Sequence, residues 1–97
     1  MEDEGSRKKW SLTLYIAGAK HPKSAAAYAN LKRICEEHIP GSYKLTVVDV
    51  TLKPERAAID QILAIPTLVR NSPLPVRRII GDLYDTTRVL VSLDLYH

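Results

Sequence analysis

From Trp10 to Ile16 the chain alternates, with Leu12, Leu14 and Ile16 on one face and Ser11, Thr13 and Tyr15 on the other, the period of a β-strand. Ala17-Gly18-Ala19 ends it. Pro22 suits a helix entry, and beyond it Ala27, Tyr28, Leu31, Ile34, Cys35 and His38 recur at steps of three and four on one stripe, which predicts an amphipathic helix. Pro40-Gly41 stops that helix, because proline cannot extend the hydrogen-bond ladder. Leu45 to Val50 is a short apolar run without clean alternation, as expected of a parallel strand covered on both faces.

Lys53-Pro54-Glu55 opens a second helical pattern, with Ala58, Ile59, Ile62 and Leu63 as its apolar side. Thr67-Leu68-Val69-Arg70 reads as a strand and Asn71 to Pro75 as a turn. Val76 to Leu83 reads as a second strand closed by Gly81-Asp82, and the two strands form an antiparallel hairpin. The last segment, Asp85 to Tyr96, is legible two ways: Asp85 is a plausible N-cap and Val89, Leu90 and Leu93 fit a helical stripe, but Arg88 to Leu93 is also β-prone. Taken as a helix, it completes the order βαβαββα.

Ninety-seven residues, 45% hydrophobic and 26% charged, make one ordinary globular domain, here bounded as 10–97 behind a polar leader at 1–9. The net charge of +3 is scattered, Phe is absent and the five tyrosines are dispersed, so the basic stripe with stacking aromatics expected of a nucleic-acid binder is missing. The N-terminus carries no apolar run that could serve as a signal peptide or membrane span, and the expected compartment is the cytoplasm.

The chemistry is sparse. A single cysteine, Cys35, excludes an internal disulfide, and its place on the apolar stripe marks it as a buried, inert thiol. His21, His38 and His97 share no metal-ligand spacing, and neither a nucleophile with its base nor a Gly-rich phosphate loop is present. No cofactor, metal or catalytic residue is expected.

The element order and Ile65-Pro66-Thr67 resemble the thioredoxin fold, in which a proline just before a strand is typically cis. The paired cysteines of that fold are missing: Lys20-His21-Pro22-Lys23 occupies the place, with Lys20 and Lys23 roughly where sulfurs would stand.

From Trp10 to Tyr96 the chain resembles the KaiB family of small clock proteins. The resemblance rests on Leu14-Tyr15-Ile16-Ala17-Gly18, Val48-Asp49-Val50, Ile62-Leu63-Ala64-Ile65-Pro66-Thr67-Leu68 and Pro75-Val76-Arg77-Arg78-Ile79-Ile80-Gly81-Asp82-Leu83. It implies a non-catalytic regulator that docks on a KaiC-like hexameric ATPase and kinase and shifts its phosphorylation, with a KaiA-like protein or a histidine kinase as further partners. It also implies two interchangeable packings, the thioredoxin-like βαβαββα and a tetramer-type βαββααβ, with dimers or tetramers of the chain itself. Asp49, Arg70, Arg77 and Arg78 match family positions and are the candidate partner contacts. Trp10, Pro66, Pro73, Pro75, Ser92 and Asp94 are the candidates for setting the fold balance; Ser92 stands where the family usually has glycine and Trp10 where tyrosine is frequent. A rival expectation on the same fold is a redox-inactive sensory or stress adaptor acting on a histidine kinase.

Overall fold

In the computed structural model, which describes residues 9–95, the chain forms β1 (Trp10–Ile16), α1 (Pro22–His38), β2 (Tyr43–Asp49), α2 (Pro54–Ile59), β3 (Thr67–Ser72), β4 (Arg77–Ile80) and α3 (Thr86–Leu93). Of the leader expected at 1–9 all but Lys9, and the positions Tyr96 and His97, lie outside the described residues. The four strands make one sheet in the order β2-β1-β3-β4. β2 runs parallel to β1, while β3 and β4 are antiparallel to their neighbours. This is the thioredoxin-like βαβαββα order; the tetramer-type arrangement is not the one adopted here.

β1 is central, so both its faces are covered. Leu12, Leu14 and Ile16 join Leu68 and Ile79 beneath Ala27, Leu31, Ile34 and Cys35 of α1 and Val89 and Leu93 of α3. The alternate residue Tyr15 meets Val48 and Val69 on the opposite face, where Val50, Ile62 and Ile65 complete a second, smaller cluster. The face that looked polar in the sequence is thus buried as well, with Tyr15 3% exposed.

α1 begins at His21, whose Nδ1 accepts from the Lys23 amide, with Pro22 at the position where a missing N–H is harmless. Its inward stripe is rotated from the expected one. Ser24 is buried and its Oγ accepts from the Ala17 amide, whereas Tyr28 and His38 flank the stripe and stay exposed. α3 is a helix after all: the Asp85 side chain accepts from the Arg88 amide at its start, and Asp94 closes it in the left-handed conformation at φ 56°.

Two further expectations fail for physical reasons. β2 is an edge strand, so Thr46 and Val47 face solvent rather than a second covering layer. α2 is only six residues long and ends before Gln61, at φ 57°, so Ile62 and Ile65 reach the sheet while Ala58, Ile59 and Leu63 point away from it. The bonds preceding Pro66, Pro73 and Pro75 are cis. Gly81, at φ +118°, turns the chain out of β4 in a conformation reserved for glycine and donates its amide to the Pro66 carbonyl.

Candidate protein-docking face

The side of the sheet covered by α2 is closed by charge and hydrogen bonds more than by apolar bulk. The Tyr15 hydroxyl donates to Asp60 Oδ2 at 2.5 Å, and Arg56 Nε donates to the same oxygen at 3.2 Å. Asp60 is held below the usual carboxylate range, first by the Tyr15 hydroxyl and then by Arg56. Burial and the neighbouring Asp60 push Tyr15 above the usual phenol range. Alternation along β4 brings Arg78 to this face opposite Val69, where its guanidinium donates to the carbonyls of Asp60 and Gln61, each at 2.8 Å. The last carbonyls after α2 are thereby capped from another element.

Around this polar closure stands apolar surface that none of the described residues covers. Leu52 is 77% exposed, Ile59 70%, Leu63 96% and Ile80 57%. An open cleft of about 200 Å³ is lined by Tyr15, Ile59, Asp60, Val69, Val76 and Arg78. Exposed apolar side chains grouped beside a guanidinium are the composition of a protein-docking surface. Their sequence signal was present in Ile59 and Leu63, but it was read there as the inward side of a longer helix.

The four residues expected to contact a partner do not gather in one place. Asp49 is the last residue of β2, its Oδ1 accepting from the amides of Gly18 and Thr51 and from the Thr51 hydroxyl; these hydrogen bonds, Thr51's foremost, hold it below the usual carboxylate range. Arg77 and Arg78 are consecutive on a strand and so face opposite sides of the sheet. Arg70 corrects the expectation outright. It is 2% exposed on the α1–α3 side, where two backbone carbonyls and a carboxylate compensate its charge, and it is no surface contact in this packing.

Of the residues expected to set the fold balance, three do converge, and they converge on Arg70. Its guanidinium donates to the carbonyls of Pro75 and Leu93, lies 3.6 Å from Asp94 Oδ2, and sits 5.6 Å from the centre of the Trp10 ring. Ser92 is half-buried within α3, Pro66 is buried ahead of β3, and Pro73 stands in the hairpin turn.

Cys35 lies fully buried in α1, and burial pushes its thiol up to about 12, far from the thiolate a redox or nucleophilic role requires. Among the described residues no helix is long and apolar enough to cross a membrane.

A family model described as the KaiB domain matches residues 13–95. The circadian clock oscillator protein KaiB of Synechococcus elongatus is 50% identical over 91 residues, covering 94% of this chain and 88% of that protein. Its counterpart in a Nostoc species is 49% identical over 92 residues, covering 95% and 84%. In structure, the N-terminal domain of Synechococcus elongatus SasA superposes with a TM-score of 0.68 at 22% identity, over 93% of this chain and 88% of that one. Mitochondrial thioredoxin 3 of Saccharomyces cerevisiae gives a TM-score of 0.69 at 17% identity, over 94% and 83%. These two likenesses establish the thioredoxin-like fold.

Proposed function

The chain belongs to the KaiB family, and from that premise we propose that it is a non-enzymatic clock or timer subunit that acts in the cytoplasm by docking on a KaiC-type hexameric ATPase and kinase. Docking shifts the phosphorylation state of that ring, and a rearrangement of the carboxy-terminal half of the chain controls how much of the protein is competent to dock. If only a fraction of the molecules is competent, the apparent affinity falls by that fraction, which supplies the slow step a timer needs.

One observation carries the docking role. Ile59 and Leu63 are 70% and 96% exposed beside the Arg78 clamp, on a face whose apolar core is too small to draw them in. The thioredoxin chemistry that could compete for this fold has no place here, since Lys20 and Lys23 stand near the sulfur positions and Cys35 is sealed in the core.

The test is co-sedimentation of the purified chain with an ATP-loaded KaiC-type hexamer. Leu63→Glu should weaken binding by about tenfold or more, the loss expected of a central apolar anchor, with circular dichroism unchanged. Arg77→Glu, on the other side of the sheet, should have the smaller effect. Binding that survives Leu63→Glu but fails with Arg77→Glu would move the interface to the other side; binding indifferent to both would remove the hairpin and α2 from it.

A further inference from the structure

Arg70 is the one fully buried guanidinium among the described residues, and it does more than fill space. Three stretches of chain distant in sequence meet at it: the start of β1 through Trp10, the hairpin turn through the Pro75 carbonyl, and the end of α3 through the Leu93 carbonyl and Asp94. Asp94, itself the residue that closes α3, also reaches Arg77 at 3.9 Å. An arginine cannot shed its charge when its partners leave, so a guanidinium at 2% exposure cannot stay in place once the helix end or the turn departs. Both must let go together, or neither.

We propose that Arg70 is a latch that couples the hairpin turn to the end of α3, so that the two open as a single unit, with Trp10 as the built-in reporter of its state. The planar fork of the guanidinium is what makes this coupling possible, since it donates in two directions at once; a lysine ammonium is a single point that cannot span both carbonyls in the same geometry. Trp10 is the only tryptophan in the chain, so its emission reads the environment of this one site. The inference deepens the proposed rearrangement of the carboxy-terminal half by naming the contact that gates it, and rests on that reading only for its use to the organism.

Native-state hydrogen exchange on the full chain, followed by NMR, tests it. In the wild type, the amides of Asp94 and Leu95 on one side and of residue 77 on the other should exchange through one common opening, about tenfold or more faster than Leu31 to Cys35 in α1. Arg77→Gln in every protein compared removes the direct Asp94–Arg77 pair, so that Asp94→Asn alters only the helix end; it should still speed both groups by one common factor and shift Trp10 emission. In an Arg70→Lys background the same change should speed Asp94 and Leu95 alone and leave Trp10 emission where Arg70→Lys put it. Turn amides that ignore Asp94→Asn while Arg70 is present, that still respond to it without Arg70, or that exchange as slowly as α1 overturn the latch. Should Arg70→Lys fail to fold, the response of the turn and of Trp10 to Asp94→Asn alone decides. Sedimentation run alongside separates the two readings: a coupled opening with no change of oligomer or of hexamer binding keeps the latch and sinks the rearrangement.

Discussion

The two faces of the sheet are built by different physics. On one, α1 and α3 press sixteen buried residues into a continuous apolar core, and apolar burial dominates the fit, with Arg70 the one charged side chain among the described residues buried beside it. On the other, three buried residues and three half-buried ones form the core, and Tyr15, Asp60, Arg56 and Arg78 close what apolar area cannot. The thick face leaves little of itself for anything else. The thin face holds a six-residue helix by hydrogen bonds to its trailing carbonyls and leaves Leu52, Ile59 and Leu63 in water. Stability is concentrated on the thick face, and the proposed docking falls to the thin one, where a second protein would bury what is left bare.

Truncating the thick core should produce the largest effect. Leu31 is completely buried at the centre of α1, against the sheet and α3, and Leu31→Ala should cost about 2–5 kcal/mol in chemical denaturation, the range for a core leucine whose cavity cannot collapse. Leu63→Ala, a truncation of equal size on the thin face, should be close to neutral because the side chain is 96% exposed. If the two variants lose comparable stability, the division between the faces is wrong.

A smaller effect, with a pH signature, should mark the polar closure. Tyr15→Phe keeps the ring and deletes the hydroxyl that Asp60 accepts, and should cost about 1 kcal/mol at neutral pH. Asp60 titrates lower in the folded chain than in the unfolded one, so its contribution is present above the ordinary carboxylate range and is lost as pH falls below about 4. Tyr15 titrates higher in the folded chain, so its contribution is present below about 10 and fades as pH rises through its folded value. The gap between wild type and Tyr15→Phe in urea denaturation should therefore be widest between these limits and narrow at pH 3. A gap independent of pH would mean that the hydroxyl merely fills space and the closure is not electrostatic.

The same contrast explains what could be read from the chain alone. Alternation, helical stripes and proline or glycine stops report apolar burial in local order, so β1, α1 and β3 of the thick face were legible, and α3 was legible as one of two readings, with Asp85 as its N-cap. The thin face was misread because its logic is not local. Ile59 and Leu63 fit a helical stripe, but that stripe finds no sheet area to cover, since Tyr15, Val48 and Val69 already fill it with Ile62 and Ile65. The buried state of Arg70 was invisible for a related reason. Its partners Trp10, Pro75, Leu93 and Asp94 lie as much as sixty residues away in sequence, and nothing in a run such as Thr67-Leu68-Val69-Arg70 distinguishes a guanidinium that folds inward from one that faces water. Arg77 and Arg78, both expected as partner contacts, are consecutive on β4, and the strand pleat sends them to opposite faces.

The smallest change proposed falls on α3, the element of the thick face that is held at both ends by acidic residues, Asp85 and Asp94. Ser92 lies inside that helix, and glycine there is a poorer helix former by about 0.5 kcal/mol, which multiplies the population of any competing arrangement by a factor of about two. Against a global stability of several kcal/mol such a change is hard to see in a denaturation curve. It becomes visible only if α3 already exchanges with an arrangement of similar free energy, because an equilibrium near balance converts a few tenths of a kcal/mol into a measurable shift of population. Ser92→Gly should therefore leave Leu31-centred stability almost untouched while moving sedimentation toward the larger species and weakening the NMR signals of Thr86 to Leu93. Identical sedimentation and identical spectra for the two proteins would place α3 as firmly on the thick face as α1 is, and the carboxy-terminal segment would then be no more poised to move than the core beneath it.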